Sequence, residues 1–155
     1  LLEQAAALPD EQLDHLFDSE SNSIGALLLH IAAVETAYQA ATFEHRDLNR
    51  DELQQWEAAL TLGDVARKEI RGNDLDYYLK RLEGVRGKTL AEFSRRGDDW
   101  LDEEGPFWGD QPANNYFKWF HVFEDEINHR VKIRWLRTRI AGRPRAAGVR
   151  PPSAR

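Results

Sequence analysis

The segment from Ile24 to about Ala41 constrains this chain more than any other. Between Ile24 and Val34 every side chain is apolar or absent except that of His30. Such a run reads as a long helix that is apolar nearly all round, and a helix of that kind belongs inside a bundle rather than on its surface. Ser23 closes the polar break Ser19-Glu20-Ser21-Asn22-Ser23 and offers an N-cap side chain. Ala26, Ala33 and Ala37 leave room for neighbouring helices to come close.

The rest of the chain supplies the neighbours. Residues 1–8 read as the end of a helix stopped near Pro9, and Asp10 to Phe17 as one or two short turns. Short helices are expected over Asp51–Leu60 and Gly63–Ile70. Gly72-Asn73-Asp74 then caps a long helix from about Leu75 to Arg95, with Tyr78, Leu79, Leu82, Val85, Leu90 and Phe93 as its buried stripe and Gly97 as its C′ residue. Residues 98–113 read as a long aromatic loop holding Trp100, Phe107 and Trp108. Asn114 or Asn115 caps the last helix, which runs to about Ile140. Its Tyr116, Phe120, Phe123, Ile127 and Val131 share one face, and Val122, Ile133, Leu136 and Ile140 another. Two apolar faces imply several packing neighbours or a second subunit, the latter making a homodimer. With no convincing strand, the fold class is all-α: a four-helix bundle with short extra helices. It forms one domain over residues 1–140, followed by a flexible basic tail over 141–155. The chain begins Leu1-Leu2-Glu3 without a Met, so its N-terminal helix is expected to be truncated.

Charge narrows the function classes. The net charge of −6 includes four arginines in residues 141–155, which leaves −10 on the body. Phosphate contact needs clustered positive charge, so nucleic acid is not an expected partner. No apolar run is expected to span a bilayer and no signal peptide is visible, so no membrane partner is expected and the location is taken as cytoplasmic. The absence of cysteine excludes thiolate ligands and thiolate nucleophiles from the chain itself.

Two places can carry chemistry. An imidazole at position 30, on a helix this buried, needs a polar partner. It is either a core histidine bonded to a carbonyl or hydroxyl, or a ligand. In the run His121-Val122-Phe123-Glu124-Asp125-Glu126-Ile127-Asn128-His129, residues four apart stack on one helix face. His121, Asp125 and His129 therefore form a polar row. Asp125 and His129 can converge on a zinc, nickel or iron ion, with His30 from a facing helix as third ligand. The same pair can instead be a solvated ion pair. His121 is read as a surface residue, Glu126 as a salt-bridge partner of Arg130, and Glu35 and Glu124 as ordinary helix-face acids.

At these residues the chain resembles the DinB/YfiT-like family. The resemblance lies in Ser23-Ile24-Gly25 leading into Leu28-Leu29-His30-Ile31-Ala32-Ala33-Val34-Glu35, and in the last-helix segment Asn114 to Arg130; it extends from about Leu8 to Ile140. It implies a four-helix fold and one divalent metal ion held by His30, Asp125 and His129. Many members have His where Asp125 stands, and a branch resembling mycothiol-dependent isomerases has Glu there. Where the family often continues His-Arg-Gly-Gln, this chain has His129-Arg130-Val131-Lys132, a change expected at the pocket floor.

The resemblance implies a small-molecule substrate and a metal-dependent enzyme. Its activity would be S-transfer with an external low-molecular-weight thiol such as bacillithiol or mycothiol, or hydrolysis with water activated at the metal. Trp108 is expected to line the mouth of the pocket. The alternative is a non-catalytic, stress-related helical protein with a structural metal or a buried His/Asp network.

Overall fold

The computed structural model describes residues 10–107 and 111–141. Its elements in chain order are α1 (Asp10–Leu13), α2 (Ile24–Phe43), α3 (Arg50–Thr61), α4 (Gly63–Glu69), α5 (Leu75–Phe93), a 3-10 turn (Asp98–Asp102), β1 (Glu104–Pro106), β2 (Pro112–Asn114) and α6 (Asn115–Ala141). The helix expected over residues 1–8 and the tail beyond Ala141 lie outside the described residues, as does Trp108.

The apolar segment is the central helix, α2. Ser23 caps it by accepting from the Ala26 N–H at 3.1 Å. Helices α3, α5 and α6 pack around it. Ile24, Leu27, Leu28 and Ile31 form the core with Trp56, Tyr78, Leu82, Ile133 and Leu136. Gly25 is required by this packing, since a Cβ there would fall 2.6 Å from the Tyr78 hydroxyl oxygen. A second cluster packs Trp100, Trp119 and Val122 against Phe43 and Phe93 near the other end of α2. There the Trp119 indole N–H donates to the Thr42 hydroxyl at 3.1 Å.

Membrane-spanning length needs correction. Ile24–Phe43 is, by length and composition, apolar enough to cross a bilayer, and 72% of its apolar window is buried inside the protein. Its hydrophobicity is spent on the core.

Several local expectations also change. Helix α5 ends at Phe93, where the Ser94 N–H bonds back to the Leu90 carbonyl at 3.0 Å. Gly97 is therefore not its C′ residue: it adopts an extended backbone and opens the 3-10 turn. Leu90 is 60% exposed, and Thr89 is the buried residue in that turn.

The segment expected as an aromatic loop contains the 3-10 turn and a short antiparallel hairpin, in register Glu104↔Asn114, Gly105↔Ala113 and Pro106↔Pro112. Prolines cannot extend the ladder past that last pair. Asn115 fixes the hairpin to the turn: its N–H donates to the Glu103 carbonyl and its side chain to the Trp100 carbonyl, both at 3.0 Å.

On α6, Trp119, Val122, Ile133 and Leu136 face the core, whereas Tyr116, Phe120, Phe123, Ile127 and Val131 are 41–62% exposed.

Candidate metal centre

His30, Asp125 and His129 meet between α2 and α6. One ligand-capable atom from each lies within 4.8 Å of the others. His30 Nε2 is 3.6 Å from Asp125 Oδ2, and His129 Nε2 is 3.2 Å from Asp125 Oδ1. The two imidazole rings are 4.6 Å apart, nearly perpendicular. Metal–ligand bonds of about 2.0–2.2 Å place neighbouring ligands roughly 3.0–3.5 Å apart. Both histidine–aspartate separations are near that range, each to a different carboxylate oxygen, and the set as a whole, within 4.8 Å, would close by roughly 1 Å around a divalent ion.

Each side chain is held for a traceable reason. His129 is 5% exposed because its position on α6 falls on the core-facing side, one helical turn after Asp125. The orientation of His30 is fixed by the end of α3. The last four carbonyls of a helix lack intrahelical donors. The N–H that would reach Ala59, that of Gly63, is diverted to the Asn22 side chain at 2.9 Å. His30 Nδ1 takes its place, donating to the Ala59 carbonyl at 2.7 Å. With the proton on Nδ1, the lone pair on Nε2 faces Asp125 and His129. A backbone carbonyl behind a ligating imidazole is the usual way to fix its tautomer.

The electrostatics favour the same state. Burial lowers the pKa of His30 below its ordinary 6.5, with the neighbouring His129 adding to the effect and the Ala59 bond opposing it. His30 is therefore neutral at pH 7 and free to bind a cation. Burial pushes the Asp125 carboxyl up, but the hydrogen bond from His129 and the fields of His129, His30 and His121 together hold it below the ordinary value. Asp125 is thus a carboxylate.

A layer of buried polar groups lies beside the cluster, and the sequence reading did not see it. Glu35 is 1% exposed, not an ordinary surface acid. It accepts two bonds from Arg86 of α5, at 2.9 and 3.0 Å, and one from the Thr89 hydroxyl at 2.6 Å. Arg86 also bonds Glu126 of α6 at 2.6 Å, so Glu126 pairs across the bundle rather than with Arg130. One guanidinium thereby ties together the two helices that carry the His/Asp cluster. The available signal was an acid at position 35 within an apolar helix.

His121 is half-buried, with its ring 6.0 Å from that of Tyr38, so it is not a simple surface residue. The Tyr38 hydroxyl is buried with no hydrogen-bond partner among the described residues. Its phenol is pushed up to about 12, by burial first and the Asp125 charge second. Val131 and Lys132 are both exposed and line a cleft of about 390 Å³ with Trp135 and Leu136; the charge of Lys132 also lowers the pKa of His30.

The fold and the cluster define a helical-bundle protein with two imidazoles and a carboxylate gathered between two helices. Comparison with family models agrees: the DinB family matches residues 1–147, and the chain belongs to that family. A search of curated proteins finds no match.

Proposed function

We propose that this DinB protein is a divalent-metal enzyme acting on a small molecule, with zinc, nickel or iron held by His30, Asp125 and His129. The observation that carries the reading is the His30 tautomer: the Ala59 carbonyl accepts from Nδ1–H, which leaves Nε2 as a lone-pair donor facing Asp125 and His129. A divalent ion at this place supplies a Lewis acid that draws a thiol or a water toward deprotonation near neutral pH. Since the chain has no cysteine, the thiol in a transfer reaction is an external low-molecular-weight one.

The protein's own groups would do the remaining work. Asp125 and the two neutral imidazoles leave a divalent ion with net positive charge, which favours an anionic nucleophile. Tyr38, protonated at neutral pH, is a hydrogen-bond donor without a partner among the described residues. Arg86, by bridging Glu35 and Glu126, keeps α2 and α6 in register.

The exposed apolar face of α6, from Tyr116 to Val131, supports a homodimer. The acidic body argues against a nucleic-acid partner, and the reading takes the protein to act in the cytoplasm without a membrane partner. A non-catalytic buried network is the second reading, favoured by the 3.2 Å Asp125–His129 contact, which pairs the two groups without an ion but leaves His129 Nδ1 with no partner among the described residues.

The test is a screen of metal-loaded protein for S-transfer to an electrophile and for ester or amide hydrolysis, with Asp125→Ala alongside. Turnover that needs added thiol and is lost in the variant supports transfer; thiol-independent turnover supports hydrolysis. Loaded protein inactive in both screens favours the network.

A further inference from the structure

Lys118, in the first turn of α6, is 4% exposed. The other buried polar side chains have partners: Glu35 with Arg86, His129 with Asp125, Gln39 with Thr89, Asn115 with the Trp100 carbonyl, Thr42 with Trp119, and Ser23 with the Ala26 N–H. Among these buried polar side chains Lys118 alone has neither an ion pair nor a hydrogen bond to a described residue. Its Nζ lies over Gly105 of the hairpin, where a Cβ would stand 3.1 Å away. Burial lowers its pKa. The hairpin covers the Lys118 stem, while the ammonium opens on a cleft with no counter-charge paired to it among the described residues.

Lys118 lines a cleft of about 590 Å³ together with Tyr38, Leu53, Pro106 and Phe107. The walls are largely aromatic and aliphatic, with the Tyr38 and Phe107 rings 6.5 Å apart. Arg46 and Asp47 also line the cleft, and Arg46 is already bonded to Glu44, to Glu52 and to the Asp47 carbonyl. Lys118 is therefore the cation available to a ligand.

The cleft lies along the same two helices as the cluster, and none of the three cluster residues lines it. Lys118 precedes Asp125 by seven residues, about 10 Å at 1.5 Å per residue, and Tyr38 follows His30 by eight, about 12 Å. Tyr38 joins the two regions, since it lines the cleft and its phenol lies in the field of Asp125.

We propose that this cleft binds an elongated small molecule whose terminal carboxylate pairs with Lys118 and whose other end reaches the His30–Asp125–His129 cluster. A monoanion matches the single free ammonium, whereas a phosphate dianion would call for further donors that Arg46 has already committed. The carboxylate contact stands on Lys118 and the cleft; the second contact rests on the metal reading above.

Two titrations separate these parts. In the first, metal-free protein is titrated calorimetrically with octanoate and with 1-octanol. Wild type is expected to prefer octanoate by about tenfold, as one charge-assisted contact predicts. Lys118→Met is expected to lose the preference while unfolding no earlier than wild type, because it removes a cation that has no partner among the described residues. Equal octanoate binding by wild type and Lys118→Met overturns the proposal.

In the second, cobalt-loaded protein is titrated with 8-mercaptooctanoate, 8-mercaptooctanol and 2-mercaptoethanol, following the thiolate–cobalt absorption band. A Lys118-dependent advantage for the mercaptoacid confirms that the cleft leads to the cluster. A band with 2-mercaptoethanol but no such advantage overturns the link. Failure to take up cobalt overturns the metal reading and the link, while the octanoate comparison still decides the carboxylate contact.

Discussion

Replacing Arg86 with Met removes the one cation that Glu35 and Glu126 share. Glu35, at 1% exposure, would keep only the Thr89 hydroxyl. Two charge-assisted bonds, at 2.9 and 3.0 Å, disappear with the guanidinium. At about 1.5–3 kcal/mol each they sum to roughly 3–6 kcal/mol, the order expected when a buried pair loses one partner. The Arg86 side chain is itself 38% exposed, so solvent screens part of the effect. The low end, about 3 kcal/mol, is the expected loss, or about 6–12 °C in Tm for a domain of this size. Urea unfolding at pH 7 measures it. The double variant with Glu35→Gln should recover at least about 1 kcal/mol of the summed single losses, because the stranded charge is gone. A single-variant loss below about 1 kcal/mol, typical of a surface pair, would refute the reasoning, as would strict additivity.

Other consequences are open to measurement. Gly25→Ala should cost about 1–3 kcal/mol by driving a methyl into Tyr78, read as a lower urea midpoint; an unchanged midpoint contradicts the close α2–α5 contact. The folded-state pKa of His30 lies below 6.5, so between the two values the unfolded chain binds more protons and metal-free stability rises with pH. Urea midpoints from pH 5 to pH 8 should therefore climb in wild type, and less steeply in His30→Gln. Phe120→Asp with Ile127→Asp should yield a folded monomer by light scattering; wild type that is already monomeric removes the dimer proposal.

The long helices were legible because burial and periodicity speak directly through residue type. Helix α2 announced itself by an apolar run and a Ser cap, and the cluster by a lone histidine on that run and a carboxylate four residues before a second histidine. The missed features are those that depend on where separate segments meet. Nothing near Glu35 in the sequence points to Arg86, which lies 51 residues later on another helix. The diverted Gly63 N–H that frees the Ala59 carbonyl for His30 is likewise a tertiary event. The apolar side chains of α6 misled in a different way: periodicity found both faces but could not say that the Phe120–Val131 face stays open to solvent. The hairpin at Glu104–Asn114 was hidden because its strands are three residues long and end on prolines.

Metal content tests the central claim most directly. Purified protein incubated with zinc, nickel or ferrous iron and then desalted would be assayed by elemental analysis, beside His30→Ala and Asp125→Ala, with circular dichroism confirming that both variants remain helical. The account predicts about one equivalent of a divalent metal in wild type and little in either folded variant. Wild type that retains no metal, or folded variants that retain as much as wild type, would contradict it.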